Sequence, residues 1–176
     1  MKILKIIGLI IAVVIAIPLN GALFVKKDYV VERSIIINKP KADVFNFVRY
    51  LKNQDQYSKW VNLDPAMKKE FRGTDGQPGF VYAWDGNSDA GQGEQEIKNV
   101  GDGRLDVEVR FLRPFESVAQ APMTTEELSP TQTRVKWAMT GKSGYPMNFM
   151  NLFMDGMIGK DLEEGLTNLK RVMEAS

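Results

Sequence analysis

Glu94 and Glu96, Lys69, Tyr82 and Gln95 are the side chains whose types and spacing could do acid–base chemistry, in a chain of 176 residues that has no histidine and no cysteine. Their absence removes Ser-His-Asp and Cys-His nucleophiles, histidine-ligated metals, thiolate chemistry and disulfide staples. No metal or other cofactor is expected. Glu94 and Glu96 have the spacing of a catalytic carboxylate pair, because residues two apart on a strand share a face. Ile97 argues otherwise. It is the apolar residue in the middle of that strand, and if it points inward then Gln95 does too and both glutamates point to solvent, the ordinary place for an acidic residue. Lys69 lies between Met67 and Phe71, so alternation puts it on an inner face. There it would neutralise an acidic head group or snorkel out at the rim. Tyr82, Lys69 or an inward Gln95 could polarise a bound carbonyl.

Those residues must be held by strands. Tyr29 to Ile37 reads as the first, rich in Val and Ile, and six more are expected over Met67 to Arg72, Phe80 to Trp84, Gln92 to Val100, Arg104 to Phe111, Glu116 to Leu128 and Arg134 to Thr140. Gly and Asp in 73–79, 85–91 and 101–103 supply the turns between them. Leu105, Val107, Val109 and Phe111 alternate with Arg104, Asp106, Glu108 and Arg110, giving that strand one dry and one solvated face. Val135, Trp137 and Met139 face inward by the same logic, and Phe80, Tyr82 and Trp84 share a face. After the first strand, Asn38, Lys39 and Pro40 turn the chain into a helix whose Val44, Phe45, Val48 and Leu51 recur at helical spacing. A short helical piece is expected over Gln54 to Trp60. A final helix from about Pro146 to Glu174 carries an apolar stripe of Met150, Phe153, Met157, Leu162, Leu166, Leu169 and Met173. Met147, Met150, Met154 and Met157 cluster in its first half, and flexible thioethers suit a wall that adapts to varied apolar ligands, although core packing explains each singly. Gly156, Gly159 and Gly165 each cost about 1 kcal/mol of helix propensity relative to Ala, which points to close approach of the sheet or to space left for a ligand.

The chain's order of elements, seven strands between a short helix and one long amphipathic helix, describes an α+β fold in which a curved antiparallel sheet closes over a helix and leaves a pocket. Composition, 44% hydrophobic and 26% charged, fits one buried domain plus a tail. Residues 6–25 carry no charge and one strongly polar side chain, Asn20, between Lys2 and Lys5 on one side and Lys26 and Lys27 on the other. Twenty such residues have the length of a transmembrane helix. The expectation is therefore an N-terminal membrane anchor over 1–27 and a ligand-binding domain over 28–176. A cleaved signal peptide is the competing reading, but cutting after Ala22 would put Asn20 where a small residue is wanted. The flanking charges balance, so the positive-inside rule does not orient the anchor, and the short amino end favours a domain on the exocytoplasmic side. Residues 28–176 carry 19 Lys and Arg against 22 Asp and Glu, a net of −3. Nucleic acid, which needs clustered positive charge, is not an expected partner.

The stretch VERSIIINKPKADVFNFVRYLKNQDQYSKW at 31–60 resembles the start of the polyketide cyclase/dehydrase and lipid-transport branch of the START-like (SRPBCC) superfamily. YAWDGN and GQGEQEI are similar to its middle strands, and GKDLEEGLTNLKRVME is similar to its C-terminal helix. The resemblance covers 29–174 and implies a helix-grip fold, seven antiparallel strands around the C-terminal helix with a pocket between. It carries no catalytic motif, since members bind lipids, cyclise or regulate partners. The expected function is binding of a hydrophobic or amphipathic, lipid-like molecule by Trp60, Lys69, Phe80, Tyr82, Trp84, Gln95, Phe111, Trp137, Met139, Phe153 and Met157. The alternatives are a cyclase or dehydratase acting through Tyr82, Lys69 or Gln95, and a regulatory interaction module. No oligomeric state follows from the pattern.

Overall fold

A computed structural model of the chain describes residues 2–175. Its elements are α1 (Lys2–Gly21), β1 (Asp28–Ile37), α2 (Lys41–Val48), β2 (Lys68–Arg72), β3 (Val81–Asp85), β4 (Gln92–Gly101), β5 (Arg104–Arg113), β6 (Ser117–Gln120), β7 (Met123–Ser129), β8 (Gln132–Lys142) and α3 (Asn151–Ala175), with 3₁₀ turns at Leu51–Gln56, Trp60–Leu63 and Met147–Met150. The strands form one antiparallel sheet in the order β1-β8-β6-β5-β4-β3-β2, with β7 paired to β5 and β8. The strand expected over Glu116 to Leu128 is two strands, so the sheet has eight rather than seven. Pro122 is the cause: it has no N–H to donate to a ladder, and the chain breaks around it while the Ala121 N–H still reaches the Val107 carbonyl at 2.7 Å. Register shifts in β4 at Gln92/Gly93 and Ile97/Asn99 bend that strand, as unpaired extra residues do, and the sheet curves over α3.

The buried face of α3 differs from the expected stripe. Leu162, Leu166, Leu169 and Met173 are buried, and Ile158 and Met154 pack against the core one and two turns before Leu162. Met150, Phe153 and Met157 lie off that line and are exposed. The helix itself starts at Asn151, after a tight 3₁₀ turn, rather than at Pro146. Two of its three glycines are close approaches. A Cβ on Gly165 would stand 2.8 Å from the Trp137 ring, and one on Gly159 would meet the Arg33 guanidinium. Gly156 faces open space. Arg33 sits in line with Val31 and Ile35 on β1 and donates to both carboxylate oxygens of Asp155 at 2.8 and 3.0 Å, clamping the helix to the sheet edge.

The membrane-spanning helix expected from 6–25 is not found: among the described residues no helix is long and apolar enough to cross a membrane. α1 begins with Lys2 and includes Lys5, and the helix stops at Gly21. Its uncharged part, 6–21, is about 24 Å long at about 1.5 Å per residue, short of a hydrocarbon core of about 30 Å. Ala22 to Lys27, expected as part of the anchor, are pinned to the folded domain instead. The Asn148 side-chain amide donates to the Ala22 and Val25 carbonyls at 2.6 and 2.8 Å, and that of Asn151 donates to those of Lys26 and Lys27.

Candidate ligand-binding cavity

A cavity of about 480 Å³ lies between the sheet and the first half of α3. Alternation in the strands builds one wall. Tyr82 and Trp84 of β3, Gln95 of β4, Val107, Val109 and Phe111 of β5, and Trp137 and Met139 of β8 all point into it. Met154, Met157 and Ile158 of α3 form the opposite wall, and Trp60 and Met67 close one side. The rings are held in place by one another. Trp60 meets Trp137 edge-on at 5.6 Å, and Trp84 meets Phe111 edge-on at 6.1 Å. Gly93 makes room for Trp84, because a Cβ there would stand 2.6 Å from the indole. The indole N–H then bonds the Ala90 carbonyl at 3.1 Å. Phe115, 74% exposed, and Met157, 58% exposed, stand at the open end.

Of the residues singled out from the sequence, Trp60, Tyr82, Trp84, Gln95, Phe111, Trp137, Met139 and Met157 are thus brought to one cavity. Three are not. Phe80 is buried in the core beneath the cavity, stacked on Phe71 at 6.3 Å. Phe153, half exposed, points away and packs on Phe149, because the helical line into the cavity runs through Met154 and Ile158. Lys69 lies at the sheet edge, where its ammonium turns to Asp55 at 2.8 Å rather than into the cavity. Met147 and Met150 of the methionine cluster are exposed outside the lining.

Tyr29, Gln54, Ser58 and Arg113 also line the cavity and were not singled out. Gln54 comes from the 3₁₀ turn after α2 and Ser58 from the loop that follows it, where no period-2 pattern reports direction; Tyr29 was within reach, since it shares the alternation of Val31 on β1. The Tyr82 hydroxyl donates to Asp55 Oδ1 at 2.8 Å, and burial together with that carboxylate pushes its pKa up, so it stays protonated. Tyr57, beneath Trp137, is wholly buried and its hydroxyl has no partner among the described residues; burial pushes its pKa up as well.

Glu94 and Glu96 are on the outer face. Arg110 reaches both at 2.8 Å and Glu108 at 2.5 Å, Arg72 bonds Glu94, and Lys98 bridges Glu96 and Glu108. These cations hold all three carboxyls below the usual range. A second concavity, of about 510 Å³, opens over the edge of β2 to β4 and is lined largely by charged side chains including Lys68, Glu70, Arg72 and Glu94. It offers little apolar surface to desolvate, whereas the inner cavity is mostly aromatic and aliphatic, the usual character of a small-molecule site.

The sequence profile described as polyketide cyclase / dehydrase and lipid transport matches residues 29–174. The chain belongs to this family, within the START-like (SRPBCC) superfamily. Among curated proteins no sequence matches it. Solved structures share its helix-grip fold at low identity. Norcoclaurine synthase from Thalictrum flavum, in complex with dopamine and hydroxybenzaldehyde, is 10% identical with a TM-score of 0.63, over 84% of this chain and 87% of that one. A protein of Thermus thermophilus is 14% identical with a TM-score of 0.61, over 83% and 97%. Ara h 8.0201 is 13% identical with a TM-score of 0.55, over 85% and 99%. At these identities the likeness is one of fold.

Proposed function

We propose that this family member binds a hydrophobic or amphipathic, lipid-like molecule in the cavity between sheet and α3. The observation that carries the reading is the lining: three tryptophans, further aromatic rings and four methionines around a space of about 480 Å³, with Arg113 the one charged residue among those described. Transfer of an acyl chain into such a space gains about 0.8 kcal/mol per buried CH₂. The family description, which includes lipid transport, agrees with this. Cyclase or dehydratase chemistry through Tyr82 or Lys69 has less support, because the hydroxyl proton of one and the ammonium of the other are both committed to Asp55. Native mass spectrometry of the full chain, released from mild detergent, tests the binding reading. A co-purifying lipid supports it. Failure of both native lipids and an apolar dye to bind folded protein would overturn it.

Attachment to a membrane through α1 is part of the same proposal. Ile6, Ile7, Leu9, Ile10, Ile11 and Val14 are exposed on the uncharged stretch of α1 between Lys5 and Asn20, and an apolar stretch of helix without a polar face has no stable resting place in water. The pinned linker extends that apolar surface toward the cavity: Gly21 lies against Phe149, Phe149 against Phe153, and Met157 one turn further on stands at the cavity's open end. Full-length protein is expected to float with lipid vesicles in a density gradient at physiological salt. Recovery of the intact, folded chain free of the vesicles would refute attachment.

A further inference from the structure

One corner of the cavity is lined by uncharged polar side chains. Gln54 and Ser58, 8% and 2% exposed, line it together with Gln95 of β4. Gln95 Nε2 donates to Gln54 Oε1 at 2.9 Å. That bond leaves the Gln54 amide nitrogen as a donor and the Gln95 amide oxygen as an acceptor, on two residues that both line the cavity. The result does not depend on which way the two amides are drawn. Turning both over reverses the bond and again leaves one donor and one acceptor.

Charge at the site is already neutralised. Behind Tyr82, the Asp55 carboxylate is balanced by Lys69. At the open end the Arg113 guanidinium is held by Asp85, and its Nε donates to Gln92 at 2.9 Å. Each of these cations already has a carboxylate partner, and a carboxylate or phosphate carried past Arg113 into the aromatic lining would be desolvated without compensation. A hydroxyl is different, since it donates and accepts at once.

Resting on the binding reading above, we infer that the cavity selects a neutral amphiphile bearing a hydroxyl head, which donates to Gln95 Oε1 and accepts from the Gln54 amide, and discriminates against anionic lipids of the same chain. The geometry gives the head group two bonds that an alkyl terminus cannot use. A buried amide pair left without its partner costs affinity.

The test compares tetradecanol, myristate and the corresponding lysophosphatidate as competitors for an apolar dye on the full chain at about pH 8, where the carboxylate is ionised. Tetradecanol is expected to displace the dye with at least about tenfold higher affinity than myristate, and lysophosphatidate least well. In the Gln95→Met variant, which keeps the shape and removes the amide, the ratio of tetradecanol affinity to dye affinity, each measured on the variant itself, should fall severalfold. Gln54→Met should do the same, and either variant suffices if the other fails to fold. Equal or tighter binding of myristate, with the dye displaced by all three, would overturn the head-group inference and leave the cavity as the site. An unchanged ratio in both folded variants would overturn it too. If neither dye nor lipid binds, the binding reading itself falls.

Discussion

Ala121 faces the cavity from the bend between β6 and β7 and is nearly buried, so enlarging it should shorten the longest ligand the protein can enclose. The volume of about 480 Å³ divided by about 30 Å³ for a water-sized group, which a methylene approximates, accommodates about sixteen heavy atoms. In a series of 1-alkanols from decanol to eicosanol, each added methylene should tighten binding by about 0.8 kcal/mol, close to fourfold, until the chain fills the space. Affinity should then level off. Ala121→Leu adds three carbons, roughly 90 Å³ on the same scale, and should bring the plateau forward by about three methylenes. The added bulk is expected to cost about 1–3 kcal/mol of stability, so the comparison is made on protein shown to be folded by near-UV circular dichroism. Dye displacement reads the affinities. A plateau at the same chain length in both proteins would refute the reasoning, as would affinity that climbs with undiminished slope through eicosanol.

Tyr57→Phe removes a buried hydroxyl that has no partner among the described residues and should raise stability by about 1–3 kcal/mol, measured as an upward shift in Tm. A lower Tm would show that the hydroxyl is satisfied after all. Glu94, Glu96 and Glu108 have folded-state pKa values below their unfolded ones, so their contribution is present above the ordinary carboxylate range and is lost as pH falls through the lowered values. Arg110→Met should therefore reduce the difference in Tm between about pH 7 and about pH 3; an unchanged difference would place acid sensitivity elsewhere. Replacing Asn148 and Asn151 together by Ala should raise tryptic cleavage after Lys26 and Lys27 severalfold, since the four carbonyl bonds that hold 22–27 are lost. Equal cleavage rates would show that the linker is held by other contacts.

Much of the architecture was legible along the chain because its signals are local. Alternation at 104–111 and 134–140 reports which side chains share a face, whatever the strand later pairs with, and this brought Phe111, Trp137 and Met139 to one side of the sheet. The family-like stretches at 31–60 and 159–174 placed the helix against that sheet. Three things depended on tertiary structure. Rotation of α3 about its axis was one: Met150, Phe153 and Met157 fit a helical period as well as Met154 and Ile158 do, and only the close approaches of Gly159 to Arg33 and Gly165 to Trp137 choose between the two lines. The partner of Lys69 was another, because alternation set its face but not that Asp55, fourteen residues earlier, would be folded back within 2.8 Å. The polar corner was the third. Gln54 and Gln95 are 41 residues apart, one on a 3₁₀ turn without a periodic signal and the other on a strand, and a hydrogen-bonding pair made by chain closure has no trace in the spacing of either segment.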